Sequence, residues 1–190
     1  MAQGRMLFLC ITGMPGAGKT TVARALEDMG FRRITLGDVV RQAALSRGLE
    51  PTDENLSKLF HELRQVHGGG AVAQLALEQN RELRGCVIVD GIRSMEEVEE
   101  FKKRGEVLLI AVHAAPSRRF ALLSKRGRSD DPKLPEELSR RDERELAAGL
   151  CKAIALADLV IVNEEGMLIE DFKRTAKEKI IVWLKGHGWF

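Results

Sequence analysis

The chain has 190 residues, 44% hydrophobic and 31% charged, the proportions of a single globular domain with a full core, which excludes a disordered chain. Lys and Arg number 30 against 28 Asp and Glu, a net charge of +2, so no strong field for nucleic acid or an anionic membrane exists. The three cysteines, Cys10, Cys86 and Cys151, are odd in number and have no C-x-x-C spacing, which argues against a disulfide framework or a zinc site and predicts reduced, buried thiols in the apolar runs around Cys10 and Cys86.

In chain order, Met6–Ile11 is an unbroken apolar run and predicts a buried strand. It ends at Thr12-Gly13, and Thr20–Met29 then reads as a helix with Val22, Ala23, Leu26 and Met29 on one face. The stretch MAQGRMLFLCITG faintly resembles a signal peptide, but a glycine-rich motif follows at once, so a cytoplasmic protein without a bilayer span is expected. Phe31–Leu36 predicts a short strand interrupted by Arg32 and Arg33. Helices follow over Asp38–Ser46, with Asp38 as N-cap, and over Asn55–Val66 and Ala71–Leu83, the last two parted by Gly68-Gly69-Gly70. Cys86–Val89 is a strand running into Asp90-Gly91, and Glu96–Lys103 a helix. Val107–Val112 is the next strand, followed by a helix over Pro116–Lys125 with proline in its first turn. Gly127–Pro135 is polar and predicts a mobile loop. Pro135–Leu156 reads as a long helix with a possible break near Gly149; Leu159–Val162 is the last strand and Leu168–Leu184 an amphipathic helix. Continuous apolar strands alternating with helices predict a parallel sheet covered on both faces.

Gly13-Met14-Pro15-Gly16-Ala17-Gly18-Lys19-Thr20 fits G-x-x-x-x-G-K-[ST]. Its glycines let backbone N–H groups turn toward a phosphate, and the helix that follows aims its positive end at the same place. Lys19 would reach the β- and γ-phosphates and the Thr20 hydroxyl would ligate Mg²⁺. Thr21 joins the nucleotide-binding set, with helix packing as its alternative. A chance match in a chain of this length is on the order of 1%, and the flanking strand and helix make the nucleotide reading stronger still.

Later segments resemble P-loop nucleoside monophosphate kinases of the adenylate kinase type. The family's G-D-x-x-R segment is matched by Thr35-Leu36-Gly37-Asp38-Val39-Val40-Arg41. Its D-G-x-x-R segment is matched by Asp90-Gly91-Ile92-Arg93, with the arginine one place early, and its lid arginines by Lys125-Arg126-Gly127-Arg128-Ser129-Asp130-Asp131. DGIRS, RGRSDDP and RDERE together are most similar to archaeal adenylate-kinase-related proteins, while Ala157-Asp158-Leu159-Val160-Ile161-Val162-Asn163 resembles dephospho-CoA kinases.

The resemblance implies a three-layer α/β fold around a five-stranded parallel sheet of order 2-3-1-4-5. One domain over 1–190 would carry an acceptor-binding helical part at about 38–84 and a lid at about 127–139. ATP is the implied donor, with Mg²⁺ held by Thr20 and Asp90. Thr35, Asp38, Arg41 and Arg93 would bind the acceptor. Lys19, Arg126, Arg128 and Asp90 would act on the transferring group. The physical reason is the same for each arginine: a second phosphate beside the first needs cations, and planar guanidiniums bind phosphate bidentately. Surface salt bridges are the alternatives for Arg41 and Arg93, and a turn residue for Asp90. Asp130 and Asp131 would position lid arginines, with an N-cap role near Pro132 as the alternative; Arg141 and Arg144 join the lid set, with R-R-D-E-R-E over 140–145 as an exposed helix face the alternative, and in a regulatory ATPase Glu136–Glu145 would be a docking face.

Dephospho-CoA kinases place a base in the segment after the second strand, where this chain has Leu36, with Asp38 or Asp90 as alternative bases. The ionised oxygen of a monophosphate needs no base. The expected reaction is therefore ATP γ-phosphoryl transfer to a small nucleotide, AMP-like first, with dephospho-CoA as the alternative acceptor. A nucleotide-responsive regulatory ATPase is the alternative of another class. The donor-stacking arginine of the family falls on Leu122, which leaves two alternatives: weaker stacking of the donor base, or Arg119 in that position. His113 and His67 are expected to be structural, and Trp183 and Trp189 to pack. The expected partners are small-molecule nucleotides, with no nucleic acid, and the chain is expected to be a monomer or small homo-oligomer.

Overall fold

A computed structural model describes residues 6–127 and 131–189. The central strands are β1 (Met6–Thr12), β3 (Gly85–Ile92) and β4 (Glu106–His113). The shorter β2 (Arg32–Thr35) and β5 (Leu159–Val162) form the edges. All pairings are parallel and the order is β2-β3-β1-β4-β5, the expected one. Successive side chains of β1 feed opposite layers, as strand geometry requires. Phe8 and Cys10 point to one core; Leu7, Leu9 and Ile11 point to the other.

The first layer contains α2 (Leu36–Ser46), α3 (Asp53–His67), α4 (Ala71–Gln79), α5 (Met95–Lys102) and α8 (Leu150–Ala155). Phe8 and Phe101 meet there with ring centroids 5.0 Å apart, and each fully buried ring contributes about 2–3 kcal/mol. The second layer contains α1 (Lys19–Glu27) and α9 (Ile169–Gly186), with Phe172, Ala176, Ile180 and Leu184 as the buried stripe of α9. Between β4 and β5 the chain runs through α6 (Pro116–Arg126) and α7 (Pro135–Ala147).

Several expectations are corrected. Asp38 does not cap α2: the helix begins at Leu36, Thr35 occupies the cap position, and Asp38 lies in the first turn. The break anticipated near Gly149 is present, and Pro135–Leu156 is two helices parted at Ala148-Gly149. The helix expected to reach Leu83 stops at Gln79, where the Asn80 side chain donates to the Ala76 carbonyl at 2.8 Å and competes with further turns. Cys86 is half-buried where full burial was expected, and Cys151 is exposed. Arg33 does not spoil β2, because its guanidinium pairs with Glu27 at 3.3 Å and Asp90 at 3.9 Å.

Parallel strands put all their carboxyl ends at one edge of the sheet. Ligands gather at that edge where the strand order reverses, which here is beside β1. Residues 13–18, the start of α2, Asp90–Arg93, the start of α6 and Asn163 all converge there. Among the described residues no helix is long and apolar enough to cross a membrane.

Candidate active site

The segment between β1 and α1 turns tightly against the fold. A side chain at Gly13 would place its Cβ 2.2 Å from the Val112 carbonyl oxygen, and φ there is +142°, so only glycine fits. Leu123 and the Arg119 backbone press on Gly16 from α6, and the Phe172 ring presses on Gly18 from α9. The turn is therefore moulded by β4, α6 and α9 together.

It borders a cleft of about 450 Å³. Lys19 Nζ donates to the carbonyls of Gly13 at 2.6 Å and Met14 at 3.1 Å. Desolvation lowers its ammonium from 10.5 to about 8, with the Asp90 and Glu145 carboxylates working against that shift. The Thr20 hydroxyl donates to Asp90 Oδ2 at 3.2 Å. Burial pushes the Asp90 carboxyl up, partly offset by Lys19, Arg33 and the Thr20 bond. Gly13, Pro15, Gly16, Gly18, Lys19, Thr20 and Thr21 all line the cleft. Met14 contributes its carbonyl to Lys19, and Ala17 is buried, its carbonyl accepting from Asn163 Nδ2 at 3.1 Å.

Thr35, Asp90 and Arg93 line the same cleft. Arg41 does not; it lines an adjoining cavity of about 170 Å³ with Arg93, Arg141, Arg144, Phe60 and His61. Gly37, Arg93, Arg141 and Glu145 border both spaces. Arg41 pairs with Asp38 on the surface of α2. Arg93 pairs through Nε with Glu145 at 3.2 Å and lies over the Phe60 ring, 5.0 Å from its centroid. Its backbone N–H donates to Glu97 Oε2 at 2.7 Å. Glu97 is fully buried and burial pushes its carboxyl up to about 7, against the Arg93 N–H and guanidinium.

Arg126 lines the cleft and makes a bidentate contact with the buried Asp131 carboxylate, its Nε at 3.0 Å from Oδ2. Arg128 and Asp130 lie outside the described residues, so the expected lid is described only in part. Of the two alternatives at the donor base, Arg119 falls away: it is 3% exposed and does not line the cleft, with its guanidinium bonded to Asp142 at 2.8 and 2.6 Å. Arg118 lines the cleft in its place, with Nη2 donating to the Met167 carbonyl at 2.6 Å. The R-R-D-E-R-E stretch over 140–145 is not solely an exposed helix face, since Arg141 and Glu145 line the cleft.

Glu145, Arg33, Arg118 and Asn163 escape the sequence reading of the site. Asn163 and Asp158 give the last strand's motif a scaffolding role: Asn163 holds Ala17, and Asp158 Oδ2 accepts from the Leu109 N–H at 2.8 Å. The other side residues also have structural places. His113 ends β4 exposed, and His67 ends α3. Trp183 packs against the second core and stacks on His187.

Among the described residues no cluster of three or more His, Cys, Asp or Glu could cage a metal. A hydroxyl and a carboxylate side by side suit Mg²⁺ instead, which takes one or two protein oxygens plus phosphate and water. Thr20 and Asp90 are that pair.

The family model described as "AAA domain" matches residues 9–147. A UPF0200 protein of Hyperthermus butylicus is 41% identical over 189 residues, covering 99% of this chain and 100% of the relative. A shikimate kinase from Bacteroides thetaiotaomicron superposes with TM-score 0.58 at 18% identity, over 93% of this chain and 98% of that one. A sugar kinase from a Janibacter species does so with TM-score 0.55 at 18% identity, over 93% and 94%. These two share the fold. With a kinase-like P-loop fold, an AAA-domain match over most of its length and near-complete alignment to such relatives, the chain belongs to the UPF0200 proteins.

Proposed function

We propose that the protein transfers the γ-phosphoryl group of Mg-ATP to a small anionic acceptor, a nucleoside monophosphate first. The observation that carries this reading is the pair of joined spaces: a phosphate-loop cleft and an arginine-lined cavity that share Arg93 and Arg141 as a wall. The 13–20 turn and Lys19 bind the donor phosphates. Lys19 lets go of the Gly13 and Met14 carbonyls to do so, which exchanges neutral acceptors for charged ones. Thr20 and Asp90 would hold Mg²⁺, which supplies charge neutralisation of the phosphates when bound. Arg41 and Arg93 hold the acceptor anion, and Arg126 meets the charge that spreads over the moving group. Arg128, beside it in sequence, is proposed for the same task.

The state of the carboxylates favours a phosphate acceptor over a hydroxyl. Asp38 is paired with Arg41, Asp90 with Thr20 and Arg33, and Glu145 with Arg93. A hydroxyl acceptor benefits from a carboxylate ready to take its proton, whereas a phosphate oxygen is already ionised. Helices α2 to α4 are proposed as the acceptor-binding part and the 127–139 region as the lid; their closure would keep water from competing as acceptor.

The test is ADP formation from Mg-ATP with no acceptor, with AMP, CMP, UMP or GMP, and with dephospho-CoA. Strong stimulation by one monophosphate is expected, lost in Lys19→Ala. Stimulation by dephospho-CoA alone would replace the acceptor class. Slow hydrolysis indifferent to every acceptor would make this a nucleotide-responsive ATPase.

A further inference from the structure

We propose that Asp142 is a positioning residue for the phosphate loop, acting through Arg119, and that this pair makes the placement of α7 depend on whether the loop is occupied. The proposal rests on the reading of residues 13–20 as a Mg-ATP cradle and on no particular acceptor. Arg119 Nη1 donates to Asp142 Oδ1 at 2.8 Å and to the Pro15 carbonyl at 3.2 Å, while Nη2 donates to Asp142 Oδ2 at 2.6 Å. One buried guanidinium thus holds the loop backbone and helix α7 at once. A bidentate fork fixes the plane of the guanidinium as well as its distance, so Pro15 cannot move without pulling on α7.

Stability alone does not account for the pair. Burying two charges costs desolvation that their attraction only about repays, and an apolar pair of similar volume does as well. Arg119 Nε is buried without a hydrogen-bond partner among the described residues, a further cost. What an apolar pair would lack is the grip on Pro15. The grip is reinforced at the next residue, where a Cβ on Gly16 would stand 2.9 Å from the Arg119 carbonyl oxygen. On α7, Asp142 lies one residue after Arg141 and three before Glu145, and both of these line the cleft and the arginine-lined cavity. A shift of the loop when phosphates enter would therefore be passed to the turn of α7 that carries them. By linkage, whatever fixes α7 must also favour the occupied loop.

The experiment uses the full chain and a non-hydrolysable ATP analogue with Mg²⁺. Calorimetry gives the affinity, and amide hydrogen exchange over residues 135–147 reports on α7. In the wild type, nucleotide is expected to slow exchange across α7. Asp142→Asn is expected to bind about tenfold more weakly and, at saturating nucleotide, to show no added protection in α7. Arg119→Lys keeps a cation but not the fork, and is expected to fall between; it carries both readouts if Asp142→Asn does not fold. Unchanged affinity in the variants would overturn the proposal. So would full α7 protection in saturated Asp142→Asn, because direct contact with nucleotide would then explain it. A wild type that fails to bind the analogue would overturn the cradle reading itself, a result distinct from either.

Discussion

Two residues carry pH signatures that follow from where they sit. Lys19 has its ammonium lowered from 10.5 to about 8 by desolvation. Between those values the unfolded chain holds more protons than the native one, so stability rises with pH across that window. Lys19→Met is therefore expected to melt higher than the wild type at pH 7 without nucleotide, with the gap closing toward pH 10, while binding of Mg-ATP is lost. Equal pH dependence of the two melting curves would contradict the shift. Glu97 behaves oppositely in window and sense. Burial raises its carboxyl from 4.5 to about 7, so the native state holds the extra proton and stability falls as pH rises through that range. Glu97→Gln, neutral at every pH, is expected to flatten the fall between pH 5 and pH 8 in thermal melts. A fall as steep as the wild type's would place the titrating group elsewhere. Neither shift was legible in the sequence: Lys19 announces itself as a phosphate ligand, and Ser94-Met95-Glu96-Glu97 fits a helix cap, which marks Glu97 as a first-turn glutamate but not as a buried one.

At the scale of elements, the turn after β1 is set by what surrounds it. Gly13→Ala would drive a Cβ into the Val112 carbonyl, backbone that cannot give, and a loss of about 3–5 kcal/mol is expected. Gly30 also has positive φ, at +89°, but open space around it, so Gly30→Ala should cost only about 1–2 kcal/mol. Urea unfolding of the two variants decides the point, and equal losses would mean that the clash at Gly13 is relieved. The glycine motif was readable because its glycines are needed by the turn itself. The partners that mould it were not, since Val112, Leu123 and Phe172 are ordinary apolar residues of strands and helices far away in sequence. Helix boundaries show the same division. The break at Gly149 was visible as a glycine, but the start of α2 at Leu36 was hidden, because Asp38 is as acceptable in a first turn as at a cap.

For the whole molecule, continuous apolar strands told of a sheet buried on both faces, and the resemblance supplied the strand order that the structure has. What pattern reading could not supply was direction. Arg119, one of two alternatives at the donor base, is buried against Asp142; Glu145, in a stretch that also reads as an exposed helix face, stands between the two cavities. Facing is decided by how α6 and α7 pack, which no local periodicity records in helices this rich in charge. Because the cradle exists only in the folded chain, Mg-nucleotide at about one hundred times its Kd should stabilise the fold by about 2.7 kcal/mol, visible as a higher melting temperature that Lys19→Ala lacks.

The two joined spaces are proposed to serve phosphoryl transfer between small molecules. The most direct measurement follows label from γ-labelled Mg-ATP in the presence of the monophosphate that most stimulates ADP formation. The label is expected to appear in the acceptor, with little inorganic phosphate, and Arg41→Ala or Arg93→Ala is expected to reduce the transfer sharply. Label recovered only as inorganic phosphate, whatever acceptor is present and whether or not Arg41 and Arg93 are intact, would contradict it.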